Sequence, residues 1–303
     1  MKPLIEKLPI TSDASFVART HTTPNFEVPW HQHTELELIL FTRGAGLSFI
    51  GNYVGEFEEG DIFFLGPNVP HTFQKSGDLI TSAVVVHFKE DFWGAEFLQL
   101  AETHNIRQLF NTSLQGLKIT GNTRASLNSS IKKLETEKGF RRLIKLFECI
   151  DQLAEDKEYI TLSTQEIKQL NTKNKERIDR IFQFTMDNFK EPIQLAQVAE
   201  LACMSIPAFC NYFKKSTRKK YIDFLNEIRI GYACKLLLDS QASIVDVCFA
   251  SGFNTLAHFN KQFMRIRNMT PSKYRKAFNN SSAAEASLLV REIEEQQLLK
   301  KGK

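Results

Sequence analysis

Residues 195–217, LAQVAELACMSIPAFCNYFKKST, and residues 243–267, SIVDVCFASGFNTLAHFNKQFMRIR, decide how the second half of this 303-residue chain folds. In the first stretch Leu195, Val198, Ala199 and Ala202 fall at i, i+3, i+4 and i+7, the spacing of one buried helix face. Cys203-Met204-Ser205 breaks that period, and Ser205 caps a second helix from Ile206 that buries Phe209 and Phe213. A short helix, a tight turn and a longer helix make a helix-turn-helix, whose second helix enters the DNA major groove. The second stretch repeats the plan. Ser243 and Asp246 have capping-box spacing, Gly252 supplies the turn, and Ile244, Val247, Cys248, Phe253, Phe259 and Phe263 fill a core. The opposite face of its second helix carries His258, Asn260, Lys261 and Arg265.

Working outward, the helical period also predicts Arg177–Asn188, Tyr221–Asp239 and Pro271–Phe278, with Thr270-Pro271 as a cap followed by proline at the first helical position. Tyr221–Asp239 spans roughly 28 Å at 1.5 Å per residue. That approaches the ~34 Å repeat of B-DNA, so two recognition helices reach successive major grooves. Charge follows the same division. The chain carries +4, but residues 175–280 hold 17 Lys/Arg against 9 Asp/Glu, near +8, which leaves about −4 elsewhere. One segment is suited to phosphate and the other is not.

The first half is read as β. Apolar runs at Glu35–Phe41, Leu47–Ile50, Tyr53–Phe57, Asp61–Leu65 and Leu79–Phe88 alternate with breakers such as Gly51-Asn52 and Gly66-Pro67-Asn68, the rhythm of a sandwich or barrel. Helical spacing follows, with Phe140, Leu143, Ile144, Phe147, Ile150 and Leu153 on one face that packs on the barrel or on a second subunit. A polar tether at 162–176 separates the halves. The expected division is 1–170 for a ligand-sensing and dimerisation domain, 171–280 for the DNA-binding domain and 281–303 for a tail. The five cysteines are odd in number and form no Cys-x-x-Cys pair, and they are read as reduced core thiols.

Within the β half, His31, His33 and Glu37 share strand parity, so one wall carries three polar groups, and His71 ends a second strand and turn able to return to it. Trp30, Phe64 and Phe73 offer flat apolar faces nearby. His31-x-His33, three residues, Glu37, six residues, Gly44, and then Gly60 through a Pro-rich turn to His71, resemble the two motifs of the cupin superfamily, with Lys75 where the second motif has Asn. The resemblance implies His31, His33, Glu37 and His71 as ligands for Fe, Mn, Zn or Ni. Two other readings of the same residues stay open: a metal-free pocket that hydrogen-bonds sugar hydroxyls, and histidines that are only structural.

Over residues 177–278 the ordered set Leu195, Val198, Ser205, Phe213, Arg229, Ala233, Leu236-Leu237-Leu238, Ile244, Val247, Gly252-Phe253, Phe259, Phe263, Thr270-Pro271 and Tyr274-Arg275 is similar to the signature of the AraC/XylS regulators. The resemblance implies an α+β multidomain protein: an N-terminal cupin-like β-barrel with accessory helices, then an all-α double helix-turn-helix domain. It implies DNA contacts from Ser205, Pro207, Ala208, Cys210, Asn211, Lys214 and Lys215 in the first unit. In the second unit the implied contacts are Asn254, Thr255, Leu256, Ala257, His258, Asn260 and Lys261. Two positions depart from the pattern. Arg218 replaces a glycine after the first recognition helix, so a differently shaped turn is expected there. Gln194 replaces a Ser/Thr cap, weakening that helix start by about 0.5–1 kcal/mol.

No apolar stretch is long enough to cross a bilayer, and neither Gly-x-Ser-x-Gly nor a glycine-rich phosphate loop occurs in the β half. The resemblance to the AraC/XylS regulators implies a cytoplasmic, non-enzymatic, homodimeric transcription regulator, with promoter DNA, a sugar-like effector and, for an activator, RNA polymerase as partners. Two alternatives differ in class: a metal-dependent cupin isomerase or dioxygenase fused to a DNA-binding module, and a constitutive DNA-binding protein whose barrel only dimerises.

Overall fold

The computed structural model describes residues 4–5, 15–23, 30–75, 80–94, 96–163 and 172–279. The expected 170/171 boundary, most of the 162–176 tether and the 281–303 tail lie outside the described residues. Two compact units emerge, one chiefly of residues 2–53 and 57–179 and the other chiefly of 180–303.

In the first unit, strands β1 (Leu4–Ile5), β3 (His31–Gln32), β5 (Gly46–Ile50), β6 (Tyr53–Phe57) and β8 (His71–Lys75) form one sheet in the order β1-β3-β8-β5-β6. The other sheet runs β11-β10-β7-β4-β9-β2, from β2 (Phe16–Thr23), β4 (Leu36–Arg43), β7 (Ile62–Leu65), β9 (Thr81–Phe88), β10 (Leu117–Ile119) and β11 (Tyr159–Thr161). Strand β4 lies between β7 and β9, with Glu37 opposite both Leu65 and His87.

Because strand side chains alternate between faces, residue parity sorts this sheet into two cores. Ile39, Phe41, Phe63, Leu65, Ala83 and Val85 join Ile50, Tyr53, Phe57 and Phe73 in the barrel interior. Leu36, Leu38, Leu40, Ile62, Phe64, Val84, Val86 and Phe88 instead pack against helices α1 (His104–Ser113), α2 (Gly121–Lys133) and α3 (Gly139–Asp156). Both faces of β4 and β9 are therefore covered, and the interior-facing positions include Glu37 and His87. Gly44 turns the chain out of β4 with φ +93°, where a Cβ would lie 2.6 Å from Thr81 Oγ1. On α3, Ile150 and Leu153 are buried while Phe140 and Ile144 are exposed, so the apolar face predicted there is only half used by its own barrel.

Helix α4 (Thr172–Asn188) leads into the second unit, whose described residues then form α5 (Leu195–Leu201), α6 (Ile206–Thr217), α7 (Tyr221–Asp239), α8 (Ile244–Ala250), α9 (Leu256–Arg267) and α10 (Pro271–Asn279), as the helical period predicts. Helix α7 is a spine. Its first turns bring Tyr221 and Phe224 against Phe213, at ring-centroid distances of 5.3 and 5.8 Å, while Ile230, Ala233, Cys234 and Leu237 enter the core of α8, α9 and Phe253. Each fully buried aromatic ring stabilises this packing by about 1.5–3 kcal/mol.

Two departures from expectation have local causes. Arg218 adopts the left-handed conformation after all, φ 59° and ψ 5°, and its N–H reaches Lys214 O at 2.9 Å. Asn268 does the same after α9, φ 55° and ψ 17°, so both recognition helices end in one geometry despite the missing glycine. The Gln194 N–H donates to Gln197 Oε1 at 2.8 Å, which recovers part of what a Ser/Thr cap would supply.

Candidate effector site and DNA interface

The interior end of the barrel gathers polar groups from both sheets. His31 starts β3, His33 follows it, Glu37 lies in β4, His71 starts β8 and His87 lies in β9, and all five are at most 5% exposed. Three imidazole Nε2 atoms surround one carboxylate: His71 at 2.9 Å and His33 at 3.3 Å from Glu37 Oε2, and His87 at 3.1 Å from Oε1. The His31 and His71 rings stand 4.2 Å apart between centroids.

The backbone fixes which nitrogens face the cluster. His33 Nδ1 lies 3.1 Å from Glu35 O and His71 Nδ1 lies 2.9 Å from Val69 O. An Nδ1–H donating to those carbonyls leaves Nε2 of each ring turned inward. Burial alone would raise the Glu37 pKa. Attraction to His71 and His87, with hydrogen bonds from His33 and His71, holds it well below the ordinary carboxylate value. Burial likewise lowers the His33 pKa, but the hydrogen bond and charge of Glu37 outweigh it, so that group titrates above its usual value.

His31, His33 and His71 therefore meet, with donor atoms within 4.8 Å of one another, and a second set of the same span joins His33, Glu37 and His87. Trp30 is buried next to His31, and Phe73 lies 6.2 Å from the His71 ring on the interior face. Phe64 is not brought to the cluster; it packs with Phe88 and Phe110 on the helix-covered face. His87 was missed by spacing arguments because it lies 50 residues from Glu37 along the chain, and only the β4–β9 register places them side by side.

The outer faces of α6 and α9, where the DNA contacts are expected, repeat one another. Helices α6 and α9 align with an offset of 50 residues: Phe209 with Phe259, Phe213 with Phe263, Arg218 with Asn268. Ser205 Oγ accepts from Ala208 N at 3.5 Å and Thr255 Oγ1 from His258 N at 3.3 Å, so the two helices begin alike as well. The buried phenylalanines turn the intervening residues outward. Ser205, Pro207, Ala208, Cys210, Asn211, Lys214 and Lys215 are all exposed, as are Asn254, Thr255, Leu256, Ala257, His258, Asn260 and Lys261. Arg265 is exposed too, but pairs with Asp223 at 2.9 Å. Exposed Ile206 and Met264 also belong to these faces and were not anticipated. The thiols need a correction: Cys149, Cys234 and Cys248 are buried, but Cys203 and Cys210 are exposed, because they occupy the turn and the outer face of α6.

Residues 13–156 match the family described as AraC-like ligand binding domain, and residues 198–277 match the helix-turn-helix domain family. The chain is 22% identical over 256 residues to the uncharacterized HTH-type transcriptional regulator YdeC of Bacillus subtilis, covering 83% of this chain and 87% of that one. It is 21% identical over 285 residues to the HTH-type transcriptional activator RhaR of Mannheimia succiniciproducens, covering 90% and 94%. Among solved structures it is similar to ToxT from Vibrio cholerae, 15% identical over 88% of this chain and 99% of that one, with a TM-score of 0.37. An AraC-like ligand-binding domain ahead of two capped, outward-facing recognition helices leads to one conclusion: the chain belongs to the AraC/XylS family and is a ligand-responsive, DNA-binding transcription regulator, not an enzyme.

Proposed function

We propose that this regulator is a cytoplasmic homodimer that activates transcription when a sugar or related small metabolite binds inside the barrel. The observation that carries the reading is the pairing of two like recognition faces with a buried cluster of imidazoles and carboxylate inside the barrel. Binding of an effector shifts the balance between two arrangements only if it favours one of them. Activation is supported by RhaR, described as a transcriptional activator, and implies contact with RNA polymerase. The sugar class is supported by imidazole and carboxylate groups beside Phe73, the mixture of hydrogen-bonding and flat apolar surface that hydroxylated rings use. Among the described residues no helix is long and apolar enough to cross a membrane.

Dimerisation through α3 is supported by its exposed Phe140 and Ile144 and by its charge order. Arg141, Arg142 and Lys145 occupy its first half, and Glu148, Asp151, Glu155 and Asp156 its second. That order opposes the helix dipole, and an antiparallel second copy offsets the cost by placing each half against its opposite.

The base and phosphate contacts proposed are the exposed residues of α6 and α9 named above, with Asn211 and Asn260 suited to adenine and the lysines to phosphate. The test is a DNA-binding titration on a duplex selected from a random pool by the wild-type protein. Lys261→Ala weakens binding and lowers the salt slope by about 1. His33→Ala leaves binding intact and removes the rise in melting temperature produced by the active sugar from a panel of pentoses and hexoses. Unchanged binding by Lys261→Ala, or lost DNA binding in folded His33→Ala, would overturn the assignment.

A further inference from the structure

Resting on the assignment of α6 and α9 as the DNA-reading helices, we propose that their apolar tips, led by Ile206 and Leu256, contact the 5-methyl groups of thymine and so select A·T pairs in both half-sites.

Each recognition helix begins with side chains that can neither donate nor accept a hydrogen bond: Ile206, Pro207 and Ala208 in α6, Leu256 and Ala257 in α9. All five are exposed. Ile206 keeps 43% and Leu256 36% of its surface open, although Phe209 and Phe259, three positions further on, are fully buried. One exposed aliphatic residue is ordinary on a protein surface. Here the same kind of residue occupies the same position in both repeats, directly after the capping Ser205 and Thr255, where a recognition helix meets base edges.

The chemistry of the major groove decides what such a tip reads. Guanine, cytosine and adenine present ring nitrogen, carbonyl or amino groups there, and an apolar side chain pressed against them strips their water without replacing its hydrogen bonds. Thymine alone adds a methyl group, which an aliphatic side chain buries favourably. The polar neighbours agree. Pro207 lies one turn before Asn211 and Leu256 one turn before Asn260, so each helix sets an apolar group and an amide on the same side. Asparagine pairs bidentately with adenine, the partner of thymine. Arginine, the commonest reader of guanine, does not occur within residues 206–213 or 256–263.

The experiment uses the full-length protein and the duplex selected from a random pool, with each thymine replaced in turn by deoxyuridine, which removes the methyl group and keeps every hydrogen-bonding edge. Wild-type affinity should fall about 3- to 5-fold at one or more positions of each half-site. Leu256→Ala should weaken binding to the thymine duplex and then lose nothing further on deoxyuridine replacement in the half-site read by α9. Ile206→Ala should behave likewise in the other half-site, because each cycle removes one shared contact. Lys261→Ala, a phosphate contact, should keep the full deoxyuridine loss. Both aliphatic residues are exposed, so their variants should melt with the wild type, and the deoxyuridine scan of the wild type needs no variant at all. The proposal is overturned by a scan with no loss at any thymine, or by selected half-sites made of G·C pairs. It is equally overturned by a loss that persists undiminished in folded Ile206→Ala and Leu256→Ala, which would place the effect of the methyl in DNA shape. If any of these results comes with weakened binding by Lys261→Ala, the DNA interface itself stands; if Lys261→Ala also binds as the wild type does, the interface assignment falls with it.

Discussion

Replacing Arg229 tests whether the two recognition helices are held as one rigid unit. Arg229 projects from α7, where its Nε donates to Phe189 O at 2.8 Å and its terminal nitrogen donates to Glu191 O at 2.8 Å. The same guanidinium lies 5.8 Å over the ring of Phe253, in the turn of the second helix-turn-helix. Gly252 beside it has φ +83°, and a Cβ there would meet Phe189 O at 2.5 Å and Arg229 Nε at 2.9 Å. The loop entering the first helix-turn-helix and the turn of the second therefore close on one side chain. A hydrogen bond from a charged donor contributes about 1.5–3 kcal/mol. Because one of the two is exposed, Arg229→Ala should cost the joint about 2–3 kcal/mol. That loss caps the fall in affinity for a duplex with both half-sites at roughly 30- to 150-fold. Affinity for either half-site alone should change little, and Arg229→Lys, which keeps the charge but not the planar fork, should fall between. The assay is fluorescence anisotropy on full and half-site duplexes cut from a selected site. Equal losses on all duplexes, or less than about a threefold loss on the full site, would refute a joint that sets relative orientation.

Two further predictions concern local chemistry. In native protein at pH 8, a chromogenic disulfide reagent should titrate Cys203 and Cys210 quickly and the other thiols only after unfolding. Burial pushes Cys149 up to about 12 and Cys234 up to about 11, and Cys248 is also buried and raised. The adduct on Cys210 should also weaken DNA binding, an effect that Cys210→Ser removes; five fast thiols would contradict the packing. Arg218→Gly should stabilise the protein by about 1 kcal/mol in thermal melting, since the residue sits at φ 59°, where a side chain is strained and glycine is not. A destabilised variant would mean that the Arg218 side chain contributes more than its backbone costs.

The helical unit was legible almost to the residue because its signals are local. Tyr221–Asp239 begins and ends where read, and the caps read at Ser205 and Ser243 do precede helices, since caps, turns and a 3.6-residue period all lie within a few positions of the element they define. What sequence misjudged there is equally physical. Arg218 was expected to resist the left-handed region, but the aligned pair Phe213 and Phe263 fixes both helix ends in the same core geometry, and packing outweighs a penalty of about 1–2 kcal/mol. Cys210 read as core because cysteine is a small hydrophobe, yet it falls one position past Phe209, on the face opposite the phenylalanine stripe.

The barrel hid more, because its central strands are buried on both faces. In β9 every residue from Thr81 to Phe88 is buried, so the alternation that marks a half-exposed strand vanishes from composition. Only pairing reveals which of those residues face the barrel interior. His31, His33 and Glu37 could be grouped because they share parity within seven residues, whereas grouping His87 with them requires knowing that β4 pairs with β9 and that Glu37 lies opposite His87. A shift of one residue in that register would turn His87 toward the helices among Val84, Val86 and Phe88, an apolar layer with no partner for an imidazole. The polar cluster and the register therefore support each other: burying His87 is tolerable only on the interior face, and that same constraint brings a third imidazole to the Glu37 carboxylate.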